Sequence, residues 1–207
     1  MSQAAEVHAE EHHHDYFGAK FGMWLFLLTE ILLFSGLFLA YSYMRSIHPA
    51  EFHHGGSELN AVIGVANTFI LLTSSLTMAL GILALQRGQA RRSLLYVAAT
   101  ILLGLAFLVD KAFEWTAEIH HGLYPKSAHL ATLPPGEQVF FGLYYTMTGL
   151  HGVHVIAGMA LLTIMAVLIA RGKLPPERAV LLENSGLYWH LVDVVWIFLL
   201  PLFYLAA

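Results

Sequence analysis

Seven ionisable side chains lie in or beside the apolar stretches of this chain: Glu30, Glu114, His151, His154, Glu183, His190 and Asp193. A charged group at the centre of a bilayer costs about 2.5 to 3.5 kcal/mol on insertion scales, so each needs a partner or a purpose. His190 and Asp193 stand one helical turn apart in "SGLYWHLVDVVWIFLLPLFYLAA", residues 185–207. Three chemistries suit such a pair: metal or haem ligation, a proton relay, or hydrogen bonding between helices. His151 and His154, in "TGLHGVHVIAG", lie on adjacent turns of one face, with Gly149, Gly152 and Gly158 around them. Small residues let helices approach, and polar side chains then bond across the contact, each worth about 0.6 kcal/mol. Glu183, His190 and Asp193 share one stripe at i, i+7 and i+10. His154 and Asp193 both fall near mid-depth of the last two apolar segments, which suits a His154–Asp193 hydrogen bond between them.

The same imidazoles are what a metal or haem would use. A haem also needs a roomy cleft, and its ligands would compete with the carboxylates for the histidine protons. Interhelical bonding is therefore the stronger reading. Glu30 sits mid-way along "MWLFLLTEILLFSGLFLAY", which contains no Lys or Arg. Its simplest role is a carboxyl bonded to a neighbouring helix. Proton movement, and contact with another subunit or a bound lipid, are its alternatives. In "LVDKAFEWTAEIHHGLYP", Lys111 can pair locally with Glu114. An ion pair at the outer membrane surface is expected there. Trp24, Trp115, Trp189, Trp196 and Tyr204 read as interfacial belt or packing residues.

The elements that must position these groups are membrane helices. Of the 207 residues, 57% are hydrophobic and only 12% charged, and the mean hydropathy is +0.64. A water-soluble domain of this length needs a larger polar shell. A hydrocarbon core roughly 30 Å thick takes about 20 apolar residues in helical form, with every backbone hydrogen bond made inside the helix. Five segments qualify, over about 21–44, 59–85, 94 to just beyond 109, 139–170 and 187–206. The fold class is all-α, a polytopic membrane bundle of five spans.

Seven of the ten Lys and Arg residues fall on one side of these spans: Lys20, Arg87, Arg91, Arg92, Arg171, Lys173 and Arg178. Arg45 and Lys126 fall on the other, and Lys111 lies within the third span. The positive-inside rule places the N-terminus inside and the C-terminus outside. The connections "IHPAEFHHGG" and "HHGLYPKSAHLATLPPGE" then face outward as loops. Residues 1–17, "MSQAAEVHAEEHHHDYF", form a polar His-rich tail, and residues 18–207 form the membrane domain. The tail reads as a solvated arm, with metal binding as an alternative. Its inner-side imidazoles and carboxylates also suit proton collection for a partner. Cysteine is absent, which excludes disulfides, thiolate metal sites and iron–sulfur clusters. No charge pattern favours nucleic acid. No nucleotide fingerprint or HExxH motif is present, and no repeat suggests a transporter of inverted halves.

Three stretches, "WLFLLTEILLFSGLFLAY", "TGLHGVHVIAG" and "ENSGLYWHLVDVVWIFLLPLFYL", together resemble subunit III of the haem–copper cytochrome c oxidases. "YWHLVDVVWIF" is the most specific, and the resemblance runs from about Gly18 to the end of the chain. It implies an accessory subunit of a proton-pumping terminal oxidase in a bacterial cytoplasmic membrane. Such a subunit carries no redox centre. It packs on subunit I, beside subunit II, with haem and copper held by partners. It holds phospholipid and supports stability and proton uptake. The family's carbodiimide-reactive intramembrane glutamate corresponds to Glu30, its last-span pair to His190 and Asp193, and its preceding acid to Glu183. Its paired histidines correspond to His151 and His154, and a helix-end acid to Glu114. Mitochondrial-type members have seven spans, so five resembles the short bacterial form and leaves the lipid cleft differently built. Related readings are subunit III of a quinol oxidase, whose members often carry Asp at the Glu30 position, and a subunit III-like protein of nitric oxide reduction. An independent small channel or transporter is the reading from another class.

Overall fold

The computed structural model describes the backbone of residues 3–205 and the side chains of residues 18–205. The proton-collecting role inferred for the His-rich tail falls on side chains outside the described residues. Six α-helices follow in order: α1 (Gln3–Ile47), α2 (Pro49–Ser57), α3 (Ala61–Gln86), α4 (Ala90–His120), α5 (Pro135–Ala170) and α6 (Val180–Leu200). No strand occurs among the described residues. Five segments are long and apolar enough to cross a membrane: Gly18–Ile47 of α1, then α3, α4, α5, and Val180–Leu205. The five-span all-α expectation therefore holds.

Local chemistry sets the boundaries. Asn60 caps α3, its side-chain oxygen accepting the Val62 N–H at 3.0 Å. Both α3 and α5 end on a glycine with positive φ, Gly88 at 72° and Gly172 at 66°. There the next N–H reaches back to a carbonyl of the last turn, Gln89 to Ala84 and Lys173 to Leu168, each at 2.9 Å. Pro201 has no N–H to continue α6, and the chain passes into one wide π-type turn, Pro201–Leu205, with Phe203 and Tyr204 pointing inward.

Two boundaries correct the sequence reading. The segment expected as the loop "IHPAEFHHGG" contains α2. Pro49 opens that helix, and Phe52 is buried between Tyr41 (5.2 Å between ring centroids) and Phe140 (5.4 Å). Its two glycines are buried and do not break it, and α5 packs on Gly55. A Cβ on Gly55 would stand 2.5 Å from the Phe140 ring. The third span, expected to end just beyond residue 109, instead continues as helix, and α4 runs on to His120.

Helices α3, α4, α5 and α6 form a ring, each packed on the next, with α6 closing against α3. Helix α1 lies outside the ring on α5 and α6. Only 11% of the most apolar window of α1 is buried, against 50% for the last span, so α1 is the peripheral helix and α6 the central one. Close approach depends on small residues opposite large ones. Trp189 of α6 fits between Gly104 of α4 and Gly158 of α5, where added Cβ atoms would lie 2.7 Å and 2.8 Å from its ring.

Candidate functional site

The polar side chains of the bundle gather at three depths. At the end holding the N-terminus of α6, Glu183 joins three helices. Lys20 of α1 stands 2.8 Å from its Oε2, and Gln86 of α3 donates to its Oε1 at 2.7 Å. Asn184 donates to the Ala19 carbonyl at 3.1 Å, fixing α1 to the same turn.

At mid-depth two histidines each find a different helix. His154 Nε2 of α5 lies 2.9 Å from Glu30 Oε2 of α1. His154 Nδ1 lies 2.7 Å from the Leu150 carbonyl and must carry a proton to bond there. A neutral imidazole then accepts from a Glu30 carboxylic acid, and an imidazolium pairs with a carboxylate. Either distribution leaves the pair electrically neutral, which is what lipid tolerates. His190 Nδ1 of α6 lies 2.6 Å from Ser75 Oγ of α3.

The expected His154–Asp193 bond is not made. His154 turns to α1, while the α6 stripe of Glu183, His190 and Asp193 faces α3. Ser75 lies beside Asp193 as well, but its hydroxyl bonds His190, and neither buried Asp193 oxygen has a partner among the described residues. His151 is 0% exposed, and neither ring nitrogen has a partner among the described residues. Its ring packs edge-on to Phe107 at 5.6 Å and against Trp196 at 5.3 Å. His151, His154 and His190 thus serve three separate contacts and do not converge. Among the described residues no group of three or more His, Asp or Glu is placed to hold a metal.

The third level corrects the expected surface ion pair. Lys111 and Glu114 are 6% and 3% exposed, inside the bundle. Lys111 Nζ donates to Glu114 Oε1 at 3.1 Å, to the Tyr144 hydroxyl at 3.0 Å and to the Tyr204 hydroxyl at 2.6 Å. Both tyrosines donate in turn to the same Glu114 oxygen. The ammonium also lies over the Tyr144 and Trp196 rings, 4.7 Å and 5.3 Å from their centroids. The cluster joins α4, α5 and the turn after α6. Tyr41 of α1 holds that turn from the other side by donating to the Leu202 carbonyl.

Two tryptophans read as belt or packing residues are wholly buried and hydrogen-bonded. Trp189 Nε1 donates to Ser74 Oγ at 3.0 Å and Trp196 Nε1 to Thr68 Oγ1 at 3.1 Å. Trp24 is 59% exposed, as an interfacial residue would be. Sequence reasoning missed the partners on α3. The signal for Ser74 and Ser75 was the hydroxyl-rich run "LLTSSLTMA" in an otherwise apolar span.

This pattern of contacts occupies the same motifs that carried the family resemblance. The sequence pattern of the family described as Cytochrome c oxidase subunit III matches residues 1–207. The chain belongs to the cytochrome c oxidase subunit III family. It is a multi-pass membrane protein and part of a haem–copper oxidoreductase complex with other subunits. Among relatives of this subunit III chain, Cytochrome c oxidase subunit 3 of Corynebacterium diphtheriae is 32% identical over 85% of the chain and 82% of its own length. Cytochrome bo(3) ubiquinol oxidase subunit 3 of Pseudomonas aeruginosa is 31% identical over 100% of the chain and 95% of its own length. Quinol oxidase subunit 3 of Bacillus subtilis is 31% identical over 90% and 86%.

Proposed function

We propose that this chain is the accessory subunit III of a proton-pumping terminal oxidase that passes electrons from cytochrome c to O2. It carries no redox centre and works through a partner, subunit I, which with subunit II holds haem and copper in a bacterial cytoplasmic membrane. The observation that carries this reading is the use made of the intramembrane polar groups. Glu30, Glu114, His154, Glu183 and His190 are engaged in contacts between helices, so their chemistry goes into the shape of the bundle. The outward face of α1, with Trp24, Leu32 and Leu39 exposed, is left for phospholipid and for subunit I.

The Lys and Arg distribution supports an inner N-terminus and an outer C-terminus. Residues 18–207 act as one membrane domain, and the tail of residues 1–17 collects protons for uptake by subunit I. The reading of a quinol oxidase subunit is favoured by the ubiquinol and quinol oxidase relatives, which are as similar as those named for cytochrome c. Purification of the intact complex in mild detergent, followed by an optical spectrum and a donor assay, separates these readings. Stoichiometric haem and copper with oxidation of reduced cytochrome c is the expected result. Oxidation of quinol alone moves the chain to the second reading. A chain that purifies alone, without haem-bearing partners, and is active in vesicles overturns both.

A further inference from the structure

Helix α4 and its C-cap residue carry Lys111, Glu114, Glu118 and His121 at i, i+3, i+7 and i+10, one stripe along one face. The first three are buried. The stripe ends at a cavity of about 140 Å³ lined by His54, Glu58, His121, His129 and Glu137. Three imidazoles and two carboxylates thus face one aqueous opening, with His54 Nδ1 3.4 Å from Glu137 Oε1. Glu118 stands between the two ends, in electrostatic reach of Lys111 and Glu114 above and of Glu58 and His121 below.

The buried pair is bonded unevenly. Lys111, Tyr144 and Tyr204 all point at Glu114 Oε1, while the buried Oε2 has no partner among the described residues. Two further buried donors have no partner among the described residues, the Tyr145 hydroxyl and Trp115 Nε1. Their rings are 5.2 Å apart, and Tyr145 is in electrostatic reach of both Glu114 and Glu118. Buried polar atoms in native proteins find a protein partner or an ordered water, and water needs two or more polar partners in a polar site. Glu114 Oε2, Tyr145 and Trp115 supply one acceptor and two donors.

We infer that ordered water joins Glu114 Oε2 to Tyr145 and Glu118, and that the α4 stripe exchanges protons between the His- and Glu-lined cavity and the buried Lys111–Glu114 pair. A proton taken up in the cavity passes to Glu118 and through water to Glu114 Oε2, and returns by the reverse steps. The charged and titratable groups around the pair are Asp110, Glu118 and His121 on α4, Tyr144, Tyr145 and His151 on α5, and Tyr204 beyond α6. The cavity adds His54, Glu58, His129 and Glu137.

The test is a switch from H2O to D2O on the assembled oxidase complex, followed by infrared spectroscopy. The C–O–H vibration of Tyr204 is assigned by Tyr204→Phe and that of Tyr144 by Tyr144→Phe. Both bands are expected to exchange well before the α4 amides, and severalfold more slowly in Glu118→Gln. An unchanged rate in Glu118→Gln, or exchange only in step with the α4 amides, overturns the route. A high-resolution density map of the complex tests the water without any variant. Ordered density at Glu114 Oε2 is expected, and a dry contact there overturns the inference.

Discussion

The middle of α6 and its C-terminal end handle buried polarity in opposite ways. At mid-depth, contacts are single and spread over the helices: Glu30 to His154, Ser75 to His190, with Asp193 and His151 without a hydrogen-bond partner among the described residues. Near the C-terminal end, Lys111, Glu114, Tyr144 and Tyr204 close on one another. The difference lies in formal charge. A lysine and a glutamate brought into one dry site require each other, because removing either leaves an uncompensated ion. A histidine can shed its charge, so one hydrogen bond or an aromatic cage suffices. The charged cluster should therefore be brittle and the histidine level forgiving.

The sharpest way to break that contrast is Glu114→Ala, which strands the Lys111 ammonium. A loss of about 3–5 kcal/mol is expected, read as a large drop in the thermal midpoint of the solubilised complex. Wild-type stability would mean that the pair does not act as a buried ion pair. Replacing both partners by uncharged residues, Lys111→Met with Glu114→Gln, should recover much of that loss, since a removed buried pair is often close to neutral. The same melting measurement decides it, through the coupling between the single and double variants. At the mid-depth level, Glu30→Gln keeps a group able to bond His154. It should cost about 0.6 kcal/mol, the usual worth of a polar contact between membrane helices. A loss as large as that of Glu114→Ala would erase the distinction between the two levels. Asp193→Asn should move stability least, within about 0.5 kcal/mol, because neither carboxyl oxygen bonds a partner among the described residues. A melting shift well beyond that would reveal a partner for Asp193 outside the described residues.

Much of this architecture was legible in the sequence. Hydropathy over a span reports burial in lipid or protein alike, so the five helices stood out. Spacing along one helix was equally readable, and Lys111 with Glu114, and Glu183 with His190 and Asp193, do share faces. What spacing cannot report is how each helix is rotated against its neighbours. His154 and Asp193 were matched by depth, yet α5 turns His154 to α1 and α6 turns its stripe to α3. Hydropathy also cannot tell a charged residue at the headgroups from one enclosed by tyrosines, so Lys111 was placed at the surface. The α2 segment read as a loop, because Phe140, which packs against Gly55, lies 85 positions along the chain.

The bond from Glu30 to His154 spans 124 residues of sequence. At roughly 5–20 residues per second of synthesis, the glutamate precedes its histidine by on the order of ten seconds. Helix α1 is made first, yet the surfaces it rests on, α5 and α6, are made last. Something other than the native contact must shelter that carboxyl during the wait, whether headgroup water or another membrane component. The order of birth along the chain runs against the order of packing, and a chain halted before α5 would keep Glu30 waiting for good.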